Sequence, residues 1–309
     1  MPIITLPTAA LCEQFGPVPE GYAVKPWDLS HDPSDAGSIA AVLMPNYYAD
    51  DAGLRRLSKL SGLKLLQIPS AGYDHLTVPL AANAVVANGR GIHDAETAEL
   101  AIRLVLASLR GIDTAVRDAQ SHEWNSRFRP SLADRRVLLL GYGSIGSAIA
   151  RRLAPFGVTI TAVARTERDD ADVIVHSFDA LPDLLRSAEV VIVTLPLTES
   201  TRNFVDAEFL AAMPFGARLI NIARGGVVDT DALVDALEAG RIFAALDVTE
   251  PEPLPATHPL WDAPNLILTP HIGGKTTATE SRTLALFRRQ VRALATGDAL
   301  ENVVELATA

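Results

Sequence analysis

The hexapeptide Gly141-Tyr142-Gly143-Ser144-Ile145-Gly146 follows the apolar run Val137–Leu140 and leads into a helical pattern over Ser147–Leu153. That strand, turn and helix context is the one in which glycines hold a dinucleotide. Gly141 permits the tight turn, Gly143 lets the main chain approach a pyrophosphate, and Gly146 allows close packing of helix on strand. The helix N-terminus offers its unpaired N–H groups to the anion. Tyr142, Gly143, Ser144 and Ile145 are therefore candidate cofactor contacts. At the end of the next expected strand, an acidic residue would accept hydrogen bonds from the adenosine ribose. This chain has Ala164-Arg165-Thr166-Glu167-Arg168 there instead. With that carboxylate missing, a 2′-phosphate is not repelled; Arg165 and Arg168 can pair with it, and Thr166 can donate to it. NADP is the preferred cofactor on this reading. NAD is the alternative if the arginines are only solvated loop charges.

Three further segments follow in order: Asn221-Ile222-Ala223-Arg224-Gly225-Gly226, the run 245–253 (ALDVTEPEP), and Thr269-Pro270-His271-Ile272-Gly273-Gly274. Arg224, Asp247 and His271 each lie at or just beyond the carboxyl end of an expected strand, the edge at which open α/β sheets bind ligands. Taken singly, a histidine after proline reads as a loop residue, an Arg-Gly pair as a turn, and a glutamate among prolines as a solvated charge. Their joint order behind a cofactor loop turns the reading toward a reaction site. The other histidines, His31, His75, His93, His122, His176 and His258, show no ligand spacing, so no metal site is expected. The single cysteine, Cys12, excludes an intramolecular disulfide and reads as a small buried apolar residue.

These residues need elements to hold them. Short apolar runs bounded by turn residues alternate with helical patterns, which predicts an α/β chain with parallel sheets and crossover helices. In the first third, strands are expected over Ile39–Leu43, Lys64–Ile68 and Ala84–Ala87. Apolar residues at helical spacing then predict one long helix between Asp94 and Gln120, with Asp94 as its N-cap. A second strand series covers Arg136–Leu140, Val158–Val163, Val190–Val193, Arg218–Ile222, Ile242–Leu246 and Leu266–Leu268, enough for a separate doubly wound sheet. The segment Thr283–Ala295 reads as an amphipathic helix that returns to the first domain. The expected organisation is a domain from 1–94 with 276–309 and an inserted domain over 95–275.

At 309 residues, 48% hydrophobic and 21% charged, the chain suits two globular domains. No run approaches the roughly 20 apolar residues of a membrane span, and no basic region precedes the apolar start, so neither a membrane protein nor a leader is expected and the location reads as cytoplasmic. A formal charge of −10, with no basic cluster to offset it, excludes nucleic acid as a partner.

The order GYGSIG, NIARGG, ALDVTEPEP and TPHIGG resembles the D-isomer-specific 2-hydroxyacid dehydrogenase family, over nearly the whole chain. The family includes glyoxylate/hydroxypyruvate reductases, with formate and phosphite dehydrogenases as chemical outliers. The resemblance implies a Rossmann cofactor domain inserted into a flavodoxin-like substrate domain, both doubly wound parallel sheets. It implies His271 as general acid, Glu252 as its partner, Arg224 as substrate anchor, and Asp247 near the nicotinamide. Leu195, Pro196, Ala223, His271, Gly273 and Gly274 join the cofactor contacts. The chemistry agrees: reducing C2 of a 2-oxo acid builds negative charge on the carbonyl oxygen, a histidine can protonate it, and a carboxylate on the other ring nitrogen favours the imidazolium. Glu252 suits this role better than Glu250 because the family's acid has that spacing from Asp247. Arg224 can hold the substrate carboxylate or polarise the carbonyl.

The segment 67–74 resembles the family's carboxylate cradle, with Ala71 and Gly72 offering backbone amides and Ser70 a side-chain donor or a structural turn. Met44-Pro45-Asn46-Tyr47-Tyr48 can form a pocket wall, or pack. The expected partner is a small 2-oxo or 2-hydroxy acid. Formate oxidation is disfavoured because formate dehydrogenases carry Gln where this chain has Glu252; phosphite oxidation and a dinucleotide-sensing corepressor role remain alternatives. The chain ends soon after the returning helix, so an added regulatory domain is not expected. A homodimer is expected from the resemblance, with the long helix after Asp94 as a candidate interface element.

Overall fold

The computed structural model describes residues 1–45, 50–74, 76, 80–81, 83–170 and 173–305, and these fall into two compact units, residues 1–93 with 277–309 and residues 94–276. In the first unit, β1 (Ile3–Leu6), β2 (Ala23–Pro26), β3 (Ile39–Leu43), β4 (Leu65–Gln67), β5 (Val85–Ala87) and β14 (Val303–Val304) form one sheet in the order β2-β1-β3-β4-β5-β14. All pairings are parallel except β14 on β5. Strand order 2-1-3-4-5 is that of the flavodoxin-like doubly wound fold. Its strands are buried on both faces: Val42, Leu66 and Val86 supply one core, and Ala41, Leu43, Leu65 and Ala87 the other. The second core is closed by α1 (Ala9–Phe15) and by α9 (Thr279–Thr296), where Phe15 and Phe287 pack with ring centroids 5.6 Å apart. Full burial of the Phe287 ring stabilises the unit by roughly 1.5–3 kcal/mol. Gly297 stops α9 because its φ of 81° is left-handed, a conformation that glycine adopts without strain.

The second unit carries an eight-stranded sheet. Its strands are β6 (Arg136–Leu140), β7 (Thr159–Val163), β8 (Arg168–Asp170), β9 (Val173–His176), β10 (Val190–Val193), β11 (Arg218–Asn221), β12 (Phe243–Leu246) and β13 (Leu266–Leu268), in the order β8-β9-β7-β6-β10-β11-β12-β13. Apart from the antiparallel β8, this is the Rossmann order, continued by one strand. The run Val137–Leu140 pairs with Val190–Val193 in parallel register, and alternate residues enter opposite cores. Both faces are covered, so the runs are apolar throughout rather than alternating.

Two expectations change. The helix expected to run unbroken from Asp94 to Gln120 is two helices, α3 (Asp94–Arg110) and α4 (Ile112–Gln120), separated at Gly111 with φ 60° and ψ 40°. That left-handed residue ends the i to i−4 ladder, while the apolar spacing on either side reads as continuous. Asp94 is the first residue of α3 rather than the residue before it, and its carboxylate accepts the Ser144 hydroxyl at 3.1 Å. Strands β1, β2, β8, β9 and β14 join those expected. Among the described residues, no helix is long and apolar enough to cross a membrane.

Candidate functional site

The turn from β6 into α5 (Ser144–Leu153) is built by contacts that glycine permits. Gly141 sits at φ 100°, and a Cβ there would lie 2.8 Å from Thr194 Oγ1. Thr194 in turn donates to Gly141 O at 2.8 Å, so β10 fastens the turn. A Cβ on Gly146 would lie 2.9 Å from Gly141 O, which is the close approach of helix to turn. At Gly143 a Cβ would meet nothing within 4 Å. The loop is thus tight behind and open in front, the shape needed to admit a pyrophosphate to the amides starting α5, and these residues fit a dinucleotide. Ile145 packs against the core under α5, and Ser144 is turned to Asp94.

Beside this loop, Arg168 opens β8 and reaches back to donate to Tyr142 O at 2.6 Å and Thr166 O at 3.2 Å, with its guanidinium 5.4 Å from the Tyr142 ring centroid. Burial raises the Tyr142 hydroxyl and the Asp170 carboxylate adds to that shift, which keeps the phenol neutral. Arg165 and Thr166 are exposed. The hydroxyl and backbone N–H of Ser177 hold the Glu167 carboxyl below the usual carboxylate range and draw it toward the end of β9. The segment therefore presents cationic and hydroxyl groups next to the glycine turn.

The reacting candidates come from the ends of β11, β12 and β13. Asn221, 1% exposed, uses its side chain to set the next turn, accepting from Ala223 N at 3.0 Å and donating to Arg224 O at 2.9 Å. Arg224 is half-buried, and its guanidinium also donates to Ala223 O at 2.9 Å. Gly225 can only be glycine here: a Cβ would lie 1.9 Å from Thr249 O. That backbone contact packs the Arg224 turn onto the loop 247–253 that carries Glu252. Asp247 is buried, and its carboxylate accepts from Thr269 Oγ1 at 2.6 Å, Ile272 N at 2.9 Å and Gly273 N at 2.8 Å. The backbone N–H of His271 donates to Asp247 O at 2.8 Å. His271 itself sits at φ 49°, left-handed for a non-glycine residue, inside this set of bonds. Its Nδ1 is bonded to Glu252 Oε1, so Nε2 is the ring nitrogen that Glu252 does not engage. The pair is partly open to solvent, with side chains 27% and 36% exposed.

The sequence-predicted residues of the second unit therefore fall into two groups along one sheet edge: Tyr142, Gly143, Ser144, Ile145, Arg165, Thr166 and Arg168 at the glycine turn, and Arg224, Asp247, Glu252 and His271 beyond β11 to β13. Between them, Leu195 is buried just after β10, Pro196 is exposed, Ala223 is half-buried and Gly273 is buried against Asp247. Gly274 follows, half-buried. Asn221, Thr194 and Thr269 were not expected to matter. Their one sequence signal is a polar residue ending an apolar strand, where backbone turns inward to a site.

In the first unit, Ser70, Ala71 and Gly72 form a turn after β4. Ser70 is buried and its hydroxyl donates to Gly72 O at 2.7 Å, so in this geometry its proton serves the turn. Met44 is 1% exposed within the core around Val42 and Leu66, which removes it from a pocket wall. Asn46, Tyr47 and Tyr48 lie outside the described residues.

Residues 102–273 match the family described as D-isomer specific 2-hydroxyacid dehydrogenase, NAD binding domain. A glyoxylate reductase of Thermofilum pendens is 38% identical over 76% of this chain and 73% of its own length. Among solved structures, a D-isomer specific 2-hydroxyacid dehydrogenase from Xanthobacter autotrophicus Py2, in complex with NADPH and MES, superposes with a TM-score of 0.83 at 30% identity, covering 98% of each chain. An NADPH-dependent glyoxylate/hydroxypyruvate reductase from Sinorhizobium meliloti, in complex with NADP and sulfate, gives a TM-score of 0.84 at 25% identity over 98% of this chain and 97% of its own.

Proposed function

We propose a function from one premise, that this chain belongs to the D-isomer-specific 2-hydroxyacid dehydrogenase family and is an oxidoreductase that uses a nicotinamide dinucleotide. The chain reduces the C2 carbonyl of a small 2-oxo acid of the glyoxylate or hydroxypyruvate kind to the D-2-hydroxy acid. The observation that carries this reading is the His271–Glu252 pair held by Asp247 beside Arg224.

The bound dinucleotide supplies the hydride. The chain's own residues manage the charge that results. As negative charge builds on the carbonyl oxygen, His271 Nε2 donates a proton to it, and Glu252 holds the opposite nitrogen as Nδ1–H, which fixes the ring's orientation. The Arg224 fork binds the substrate carboxylate or the carbonyl oxygen, which orients C2. Asp247 transfers no proton in this scheme; it fixes the backbone on both sides of His271. Ala71 and Gly72 offer amides to the carboxylate, with Ser70 shaping their turn.

NADP is the preferred cofactor. The missing carboxylate at Ala164 and the cationic segment Arg165, Thr166 and Arg168 beside the glycine turn support that choice. The working form is a homodimer. Supporting this, no residue of α4 is buried, Ile112 and Val116 are more than half exposed, and Trp124 at 97% and Phe128 lie bare just after the helix.

Initial rates with glyoxylate, hydroxypyruvate, pyruvate and phenylpyruvate, each with NADPH and with NADH, test the reading. Turnover with NADPH is expected to fall about 10²- to 10⁴-fold in His271→Ala, the usual weight of a positioned acid. Arg165→Gln combined with Arg168→Gln is expected to raise KM for NADPH and leave that for NADH little changed. No reduction of any oxo acid by the wild-type chain would overturn the substrate class; equal use of both cofactors would overturn the phosphate reading alone.

A further inference from the structure

The turn after β4 is backed by a layer of polar groups whose donors all point at its carbonyls. His93 Nε2 meets Pro69 O at 2.9 Å, Gly89 N donates to Ser70 O at 2.7 Å, Asn88 Nδ2 to Ala71 O at 2.7 Å, and Ser70 Oγ to Gly72 O at 2.7 Å. In a trans peptide the carbonyl and the following N–H point in opposite directions. Holding the carbonyls of 69, 70 and 71 toward the segment 88–93 therefore turns the N–H groups of Ser70, Ala71 and Gly72 away from it. Among the described residues, no carbonyl takes these three N–H groups. Consecutive amides turned the same way make an anion-binding concavity.

Asn88 is the side chain of this layer with the fullest set of bonds. Its amide donates to Ala71 O, its Oδ1 accepts from Arg90 N at 3.2 Å, and its backbone N–H donates to Asn302 O at 3.0 Å. Its own carbonyl accepts from Gln67 Nε2 at 3.0 Å. Gln67 is fully buried, and its Oε1 accepts from Gln290 Nε2 at 3.1 Å. Gln290, also fully buried, grips Glu301 through both backbone groups, at 2.7 and 2.9 Å. The next residue presses the same way: a Cβ on Gly89 would lie 2.0 Å from Pro69 O. A chain of side-chain amides, buried at Gln290 and Gln67 and half-buried at Asn88, thus runs from the returning helix α9 and ends on the peptide between Ala71 and Gly72.

We propose that Asn88 is a positioning residue for the substrate carboxylate: by holding Ala71 O it aims the Gly72 N–H, and Gln67 and Gln290 hold Asn88 in place. This rests on the reading that residues 70–72 bind that carboxylate. Asn88 touches no reactant, so its removal acts on the charge of the substrate rather than on hydride or proton delivery.

The test uses the full chain with saturating NADPH, glyoxylate, and the neutral amide of glyoxylate. Asn88→Ala raises KM for glyoxylate about tenfold, equivalent to about 1.4 kcal/mol. It leaves kcat, the kcat/KM for the amide and the Kd of NADPH within about twofold. Asn88→Asp, of nearly the same shape, is worse with glyoxylate because a carboxylate cannot donate to Ala71 O and repels the acid. Asn88→Ser keeps a donor hydroxyl and serves if the alanine variant does not fold. Equal loss with the acid and the amide would overturn the proposal and make Asn88 an ordinary structural residue. A wild-type chain that uses acid and amide equally would overturn the cradle reading beneath it.

Discussion

At the scale of single residues, the geometry gives Asp247 a task distinct from the one its place in the sequence suggests. Its carboxylate, buried at the end of β12, accepts one side-chain and two backbone donors from residues 269, 272 and 273, which straddle His271. The left-handed backbone of His271 is uncommon for a non-glycine residue and persists because its neighbours are held. Asp247→Asn keeps the volume but offers one acceptor oxygen where three donors converge. Losing one bond to a charged acceptor costs about 1.5–3 kcal/mol, so kcat is expected to fall roughly 10- to 100-fold. Stopped-flow rates for a single turnover, with folding checked by thermal melting, measure it; an unchanged kcat would sink the positioning role. Loss through a displaced His271 should also change the pH profile of kcat, as removing a remote stabilising residue would not.

At the scale of elements, the carboxyl edge of the second sheet gathers the proposed reacting residues and the amino edge carries an ion-pair clasp. Glu189, just before β10, is bonded to Arg135, accepts from the backbone N–H of Arg136 at 3.1 Å, and lies 3.5 Å from that arginine's guanidinium. Burial raises the Glu189 carboxyl, but the Arg136 N–H and the two guanidinium groups outweigh it, so the net shift is downward. A carboxyl lowered on folding stabilises above its unfolded pKa, and that contribution is lost as pH falls through the folded value. Glu189→Gln is therefore expected to cost about 1–2 kcal/mol at neutral pH, a cost that shrinks as pH falls below the ordinary glutamate value of about 4.3 and on through the lower folded value. Urea midpoints across that range check the sign, and a difference that grew on acidification would contradict it. Edge strands also explain what pattern reading overlooked. The strand Arg168–Asp170 has three charged residues and pairs only with β9, so nothing in its own apolar content marks it. Pro26 and the exposed Lys25 likewise suit β2 to a sheet edge, which is where proline is tolerated.

At the scale of the whole molecule, the proposed dimer accounts for apolar groups that neither unit covers. Ile112 and Val116 lie one turn apart on α4, and Trp124 and Phe128 follow. A net charge of −10 works against self-association, so an interface must come from burial of such a face. Ile112→Glu with Val116→Glu is expected to convert a dimer to a monomer in light scattering at micromolar concentration. Persistence of the dimer in that double variant would place the interface elsewhere.

The family, the sheet class of both units and the residue types of the candidate site are all legible in the amino-acid order. Apolar runs of four or five residues and glycines at set spacing are local properties, written where they act. The same order also places Arg224, Asp247 and His271 at strand ends, because a strand's end is legible from where its apolar run stops. What those ends hold comes from the folded chain: Gly225 abuts Thr249, Asp247 serves the His271 turn, and Asn88 faces Ala71. Such bonds join residues 17 to 26 positions apart across parallel strands, and parallel pairing requires a crossover between them. The break at Gly111 belongs to the same class, since apolar spacing continues through a residue whose backbone alone turns the chain.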